Sequence, residues 1–129
     1  MMKKTLVAGL GNPLMRDDGI GVKLIAKLDE VIEKREDLDI LDLGVTSIDI
    51  LARAEDYFRI ILIDAMAMGD SPGKIRFYKD ITKDSLNDIS AYARDAHGVN
   101  LSNTIKLIIQ MYPELKLYVA GIQPHSVDM

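Results

Sequence analysis

TLVAGLGNPLMRDDGIG, residues 5–21, opens as a buried strand and closes as the start of a helix. Thr5 to Leu10 is a short apolar run, too short for a helix and rich in strand formers. Gly11-Asn12-Pro13 ends it with turn residues. From Asp17 the pattern changes period: Ile20, Val22, Leu24, Ile25, Leu28, Val31 and Ile32 recur at mostly helical spacing. Asp17 and Asp18 stand where a helix N-terminus favours acids, through capping and through its dipole. A strand feeding a helix through a glycine turn is the opening unit of an α/β fold.

The remaining chain repeats that unit. Leu38 to Leu43 alternates apolar residues with Asp39 and Asp42, which predicts a second strand, and Ile48 to Ala54 predicts a short helix. Ile60 to Ile63 is a continuous apolar run ending in Asp64, as expected for a central strand buried on both faces. Ser71-Pro72-Gly73 predicts a turn, and Lys74 to Tyr78 a strand that returns antiparallel. Residues 79–96 are polar and weakly periodic, which predicts a loop with one helical turn. Leu101, Ile105, Leu107, Ile108 and Met111 mark a helix beginning near Gly98 to Asn100, and Leu115 to Ala120 a last strand. The order β-α-β-α-β-β-α-β predicts one domain over 1–129, a three-layer α/β/α sandwich of the phosphorylase/hydrolase-like kind on a mostly parallel five-stranded sheet. Layer logic also predicts further helical cover beyond the last strand, from a C-terminal helix or a partner.

Composition narrows the functions. With 129 residues, 48% hydrophobic and 28% charged, the chain matches an ordinary soluble domain. Its net charge of -4, without a Lys/Arg cluster, disfavours a nucleic-acid partner. The absence of cysteine removes disulfides, thiolate metal sites and a cysteine nucleophile together. No apolar stretch approaches the roughly 18 residues of a membrane span, and the short apolar start is strand and turn, not a signal peptide. The cytoplasm and a monomeric state are the expectations.

Three polar groups carry the chemistry. The first glycine-rich turn is not a dinucleotide fingerprint, because position 14 is Leu14 where the third glycine belongs. Paired carboxylates there also oppose a pyrophosphate. Capping is the plain role of such acids, but only one can be the N-cap, which frees the other to face a crevice. Asp64 stands at the carboxyl end of a strand, where open α/β sheets bind ligands. His97 is one of two histidines; alone it would read as a surface residue, but its loop-to-helix position places it at the same end of the sheet. Two carboxylates and one imidazole suit a borderline divalent ion with positions left open. His125, beside Pro124, and Arg16 read as solvated.

The run Gly9-Leu10-Gly11-Asn12-Pro13-Leu14-Met15-Arg16-Asp17-Asp18-Gly19-Ile20-Gly21 resembles the amino-terminal signature of the hydrogenase maturation endopeptidases. Asp64-Ala65 after an apolar strand, and His97 ahead of a helix, are similar to that family's second and third motifs, in the same order over essentially the whole chain. The resemblance implies an enzyme that removes a short C-terminal extension from the large-subunit precursor of a nickel-containing hydrogenase, after nickel insertion. It implies Asp18, Asp64 and His97 as the metal-contacting and catalytic residues. The nickel is carried by the substrate and serves as its recognition tag; zinc or cadmium would occupy the site in isolation. A metal held there polarises a scissile carbonyl or activates water, with Asp17 beside it to orient water or act as base. Gly11 and Asn12, with Gly44 and Thr46 of the turn after strand two, are the implied substrate-binding positions. That turn reads Asp42-Leu43-Gly44-Val45-Thr46, where the family often shows an Asp-Gly-Gly-Thr-like sequence.

Two other readings compete. A peptidyl-tRNA hydrolase shares an opening like Val7-Ala8-Gly9-Leu10-Gly11-Asn12-Pro13. It then continues with a histidine-bearing run where this chain has Arg16-Asp17-Asp18-Gly19, and its tRNA substrate fits an acidic chain poorly. A non-catalytic α/β binding module would use Asp18 and Asp64 as caps and His97 as a surface residue.

Overall fold

The structure is a computed structural model. It describes residues 4–10, 26–28, 30–31, 35–42, 49–66, 68–79, 81, 86–87, 89 and 95–123, with backbone alone at 49 and 95–101. Five strands form one sheet: β1 (Thr5–Gly9), β2 (Leu38–Asp42), β3 (Arg59–Ala65), β4 (Ile75–Tyr78) and β5 (Lys116–Ile122), in the spatial order β2-β1-β3-β5-β4. β1 pairs in parallel with β2 and β3, and β3 with β5; β4 alone runs antiparallel, against β5. The antiparallel return follows from a tight connection. Lys74 N–H donates to Ser71 O at 3.1 Å, and Gly73 takes φ +87°, a conformation that suits glycine.

Helices cover both faces. On one face Leu6, Ala8, Ile60, Leu62, Leu117 and Val119 meet Ile50 and Ala54 from α1 (Asp49–Arg53) and the 3-10 turn after it, and Ile105 and Ile108 from α2 (Asp95–Met111). Leu86 and Ile89, both helical, join this cluster. On the other face Ile63 and Ile122 pack with Val7, Ile40, Ala120 and Leu28, the last from helical residues 26–28. The expected three layers are therefore present, and burial of each fully covered leucine, isoleucine or valine among them contributes roughly 1.5–3 kcal/mol. β3 lies at the centre because its isoleucine-rich run suits burial on both faces. Within the predicted first helix, 26–28 and 30–31 are helical and the rest lies outside the described residues.

Of the boundaries that differ from the sequence reading, two bear on the carboxyl rim. α2 begins at Asp95, not near Gly98 to Asn100. One glycine costs a helix only about 1 kcal/mol, and packing of Ile105 and Ile108 along a 17-residue helix outweighs it. β5 runs to Ile122, two residues past Ala120, because its last residues pair with both Asp64-Ala65 and the start of β4. α2 ends at Met111, ahead of Pro113, which restricts the residue before it. Leu115 N–H then closes a turn on Tyr112 O at 3.0 Å, and Lys116 enters the sheet.

At the amino edge of the sheet, Tyr57 O–H donates to Asp39 Oδ2 at 2.7 Å and ties β2 to the segment after α1. Burial, then the hydrogen bond to the Asp39 carboxylate and its charge, push the Tyr57 phenol up to about 12 from an ordinary 10.0. A phenol raised in the folded state adds stability that is complete below pH 10.0 and disappears as pH climbs to about 12. Equilibrium unfolding of the parent should weaken across that window, whereas Tyr57→Phe should remove that part of the pH dependence.

Candidate active site at the carboxyl rim

Parallel pairing makes β1, β2, β3 and β5 end on one edge. Gly9, Asp42 and Ile63 lie in register there, and Leu10 N–H continues the ladder to Ile63 O at 2.9 Å. Asp64 is the next residue of β3, paired across to Gly121 of β5. Its side chain is 0% exposed. Carboxylates rarely tolerate such burial without partners. Asp64 Oδ1 accepts the Ala65 N–H at 2.8 Å, which orients the group at the strand end. By strand alternation Asp64 lies on the face of Leu62 and Met66, the one packed against α2.

That face fixes where α2 begins. Its last turn leads through Tyr112 and Pro113 to Lys116, at the amino end of β5. A helix of 17 residues rises about 25 Å at ~1.5 Å per residue. A strand of seven residues spans about 23 Å at ~3.3 Å per residue. α2 thus runs back across the whole sheet, and its first turn, with His97 in it, reaches the edge that carries Asp64. The structure brings these two positions to one rim on one face. Asp18, Asp17, Gly11 and Asn12 follow Leu10 in the chain and lie outside the described residues. Gly44 and Thr46 also lie outside them, in the segment after Asp42. Among the described residues no group of three His, Asp or Glu side chains forms a metal cluster; the side chains of Asp18 and His97 are not among those residues.

The wall of the rim toward β4 holds contacts the sequence reading missed. Met66 N–H donates to Ile122 O at 2.9 Å, and the buried Met66 side chain lies over Gly121. A Cβ at 121 would collide with Met66 Sδ and stand 3.1 Å from its Cγ. Gln123, just past β5, is buried, and its Oε1 accepts the N–H of Met68 at 2.7 Å and of Asp70 at 3.3 Å. Its backbone N–H donates to Lys74 O at 2.8 Å. Arg76 adds two bonds to the Asp70 carboxylate, at 2.9 and 3.2 Å. The loop from 66 to 74 is therefore held from both ends. Neither Gly121 nor Gln123 belongs to a recognisable motif; only the cross-strand register reveals them.

The chain matches the family model described as hydrogenase maturation protease, HycI, over residues 22–129. It belongs to the hydrogenase maturation protease family. A Methanocaldococcus jannaschii protein bearing the name of a hydrogenase maturation protease is 35% identical over 106 residues, covering 81% of this chain and 66% of that one. The Rhizobium leguminosarum hydrogenase expression/formation protein HupD is 26% identical over 125 residues, covering 97% of this chain and 61% of that one. The chain thus spans somewhat under two thirds of the length of these two relatives. The structure of the [NiFe] hydrogenase maturation protease HybD from Thermococcus kodakarensis superposes with a TM-score of 0.70 at 26% identity, over 98% of this chain and 83% of that one. The hydrogenase maturating endopeptidase HybD from E. coli shares the fold, with a TM-score of 0.76 at 24% identity, over 97% of this chain and 76% of that one. Membership in the hydrogenase maturation protease family decides against the peptidyl-tRNA hydrolase reading and leaves the binding-module reading without support.

Close approach of Met66 to Gly121 makes a double-mutant cycle informative. Gly121→Ala should cost about 1–3 kcal/mol by overpacking. In a Met66→Ala background the same change should cost much less, because the colliding thioether is gone. Denaturant unfolding of the four proteins measures the coupling.

Proposed function

We propose that this protein is an endopeptidase that removes the C-terminal extension of a nickel-containing hydrogenase large-subunit precursor, and that it recognises the nickel already inserted in that substrate. One observation carries the reading beyond family membership: a fully buried carboxylate, Asp64, stands at the carboxyl rim on the face reached by the first turn of α2, where His97 lies. The neighbouring strand is β1, which precedes Asp17 and Asp18 in the chain.

In this reading Asp18, Asp64 and His97 contact the substrate's metal. Carboxylate and imidazole donors without thiolate hold a free ion only moderately, which fits a site that meets a metal held elsewhere. The same donor set would accept zinc or cadmium in isolation. Burial of Asp64 leaves water little room to screen the attraction between a cation brought to the rim and a carboxylate there. Asp17 orients water or acts as base at the scissile bond. Gly11, Asn12, Gly44 and Thr46 line the path of the substrate chain. The protein acts as a cytoplasmic monomer. Among the described residues no helix is long and apolar enough to cross a membrane.

Asp18→Asn, Asp64→Asn and His97→Ala should each reduce processing of a nickel-loaded precursor at least a hundredfold, followed by the size shift of the large subunit. Asp17→Asn should lower the rate less. Normal processing by the three ligand variants would remove the proposal.

A further inference from the structure

β4 is the end strand of the sheet, and its outward edge is unpaired among the described residues. Lys74 O accepts the Gln123 N–H, so the residues at 74, 76 and 78 turn their backbone groups toward β5. Ile75 and Phe77 therefore turn their N–H and C=O outward. These are also the two whose apolar side chains are exposed, at 56% and 47%. Phe77 stands edge-to-face with Tyr118 at 5.7 Å between ring centroids, which makes a firm apolar platform beside that edge. Lys74 and Lys79 flank the strand, both exposed and without an ion pair among the described residues. A basic, apolar edge on a chain of net charge -4 is a local reversal of sign.

Like charges oppose pairing of β4 with its counterpart in a second copy, because an antiparallel β4–β4 ladder that sets Ile75 against Phe77 puts Arg76 against Arg76 and gathers Lys74 and Lys79 of the two copies at each end. The same charges favour an acidic strand. We propose that β4 is the docking strand for the substrate: an extended segment of the precursor, acidic at its flanks and apolar at alternate positions, adds to the sheet as a sixth strand. The identity of the partner rests on the peptidase reading above. The geometry fits that reading. Ile75 pairs with Ile122, one row beyond Gly121 and Asp64. An added strand lies three strand spacings from β3, about 14 Å at ~4.8 Å each. About four extended residues cover that distance, so a chain gripped at β4 delivers a bond a few residues away to the rim.

The test reads docking and cleavage separately. In the free protein the amides of Ile75 and Phe77 should exchange rapidly with solvent and those of Arg76 and Tyr78 slowly. A saturating nickel-loaded large-subunit precursor, shown to be bound by co-elution, should slow exchange at Ile75 and Phe77 at least tenfold. The double variant Lys74→Glu/Lys79→Glu should raise KM for the precursor at least fivefold with kcat unchanged, whereas Lys27→Glu, an exposed charge change on the helix that carries Leu28, should not. Unchanged amide rates at 75 and 77 with precursor bound, or a KM for the double variant within twofold of the parent, overturns the docking strand. Failure of the parent to cleave the precursor instead counts against the peptidase reading, and the amide rates still judge β4.

Discussion

Backbone pairing of β3 with β1 on one side and β5 on the other fixes where the polar groups of the carboxyl rim stand. The ladder is parallel on both sides, so the strands start together at Thr5, Arg59 and Lys116 and run out together. A parallel sheet must be covered on both faces, and here it is, by α1 and α2 on one and by the helix carrying Leu28 on the other. Over these parallel strands the faces are closed, which leaves their carboxyl ends and the edge of β4 open to a ligand. Asp64 occupies such an end with no exposure of its own, and a slip of one residue in β3 would swing it to the opposite face. Register, therefore, is what places this carboxylate on the same face as α2.

Much of this was legible from the chain alone, for identifiable reasons. Ile60 to Ile63 carries strand formers without interruption, and Asp64 breaks the run, so both the strand and its acidic end are written locally. The turn at Ser71-Pro72-Gly73 is equally local, and it makes the reversal of β4 predictable. α2 was harder to bound, since Gly98 looks like a stop in a local window and only long-range packing of Ile105 and Ile108 carries the helix past it. Gly121 and Gln123 were illegible. Their importance comes from Met66 and from the Met68 and Asp70 amides, more than fifty residues earlier in the chain, and no local pattern encodes such a meeting.

The two ends of the sheet are stiffened by different means. At the amino edge, Asp39 accepts from Tyr57, with Lys4 at 3.7 Å, and the arrangement keeps a half-buried phenol neutral. At the carboxyl edge, Gln123 satisfies amides that would otherwise be buried without partners, each worth about 1–3 kcal/mol if stranded. The first arrangement fixes strands to helix; the second shapes the loop between Asp64 and β4. A rim built this way presents a fixed carboxylate beside a fixed wall, the preorganisation that the proposed recognition of a substrate-held metal requires.

Anomalous diffraction from zinc-soaked crystals tests the shared cation site most directly. The account predicts one strong peak at the carboxyl rim, with oxygens of Asp18 and Asp64 and an imidazole nitrogen of His97 each about 2.0–2.2 Å from the ion. A peak coordinated elsewhere, or an Asp64 carboxylate that stays within its own strand-end contacts while His97 binds zinc on another surface, would contradict it.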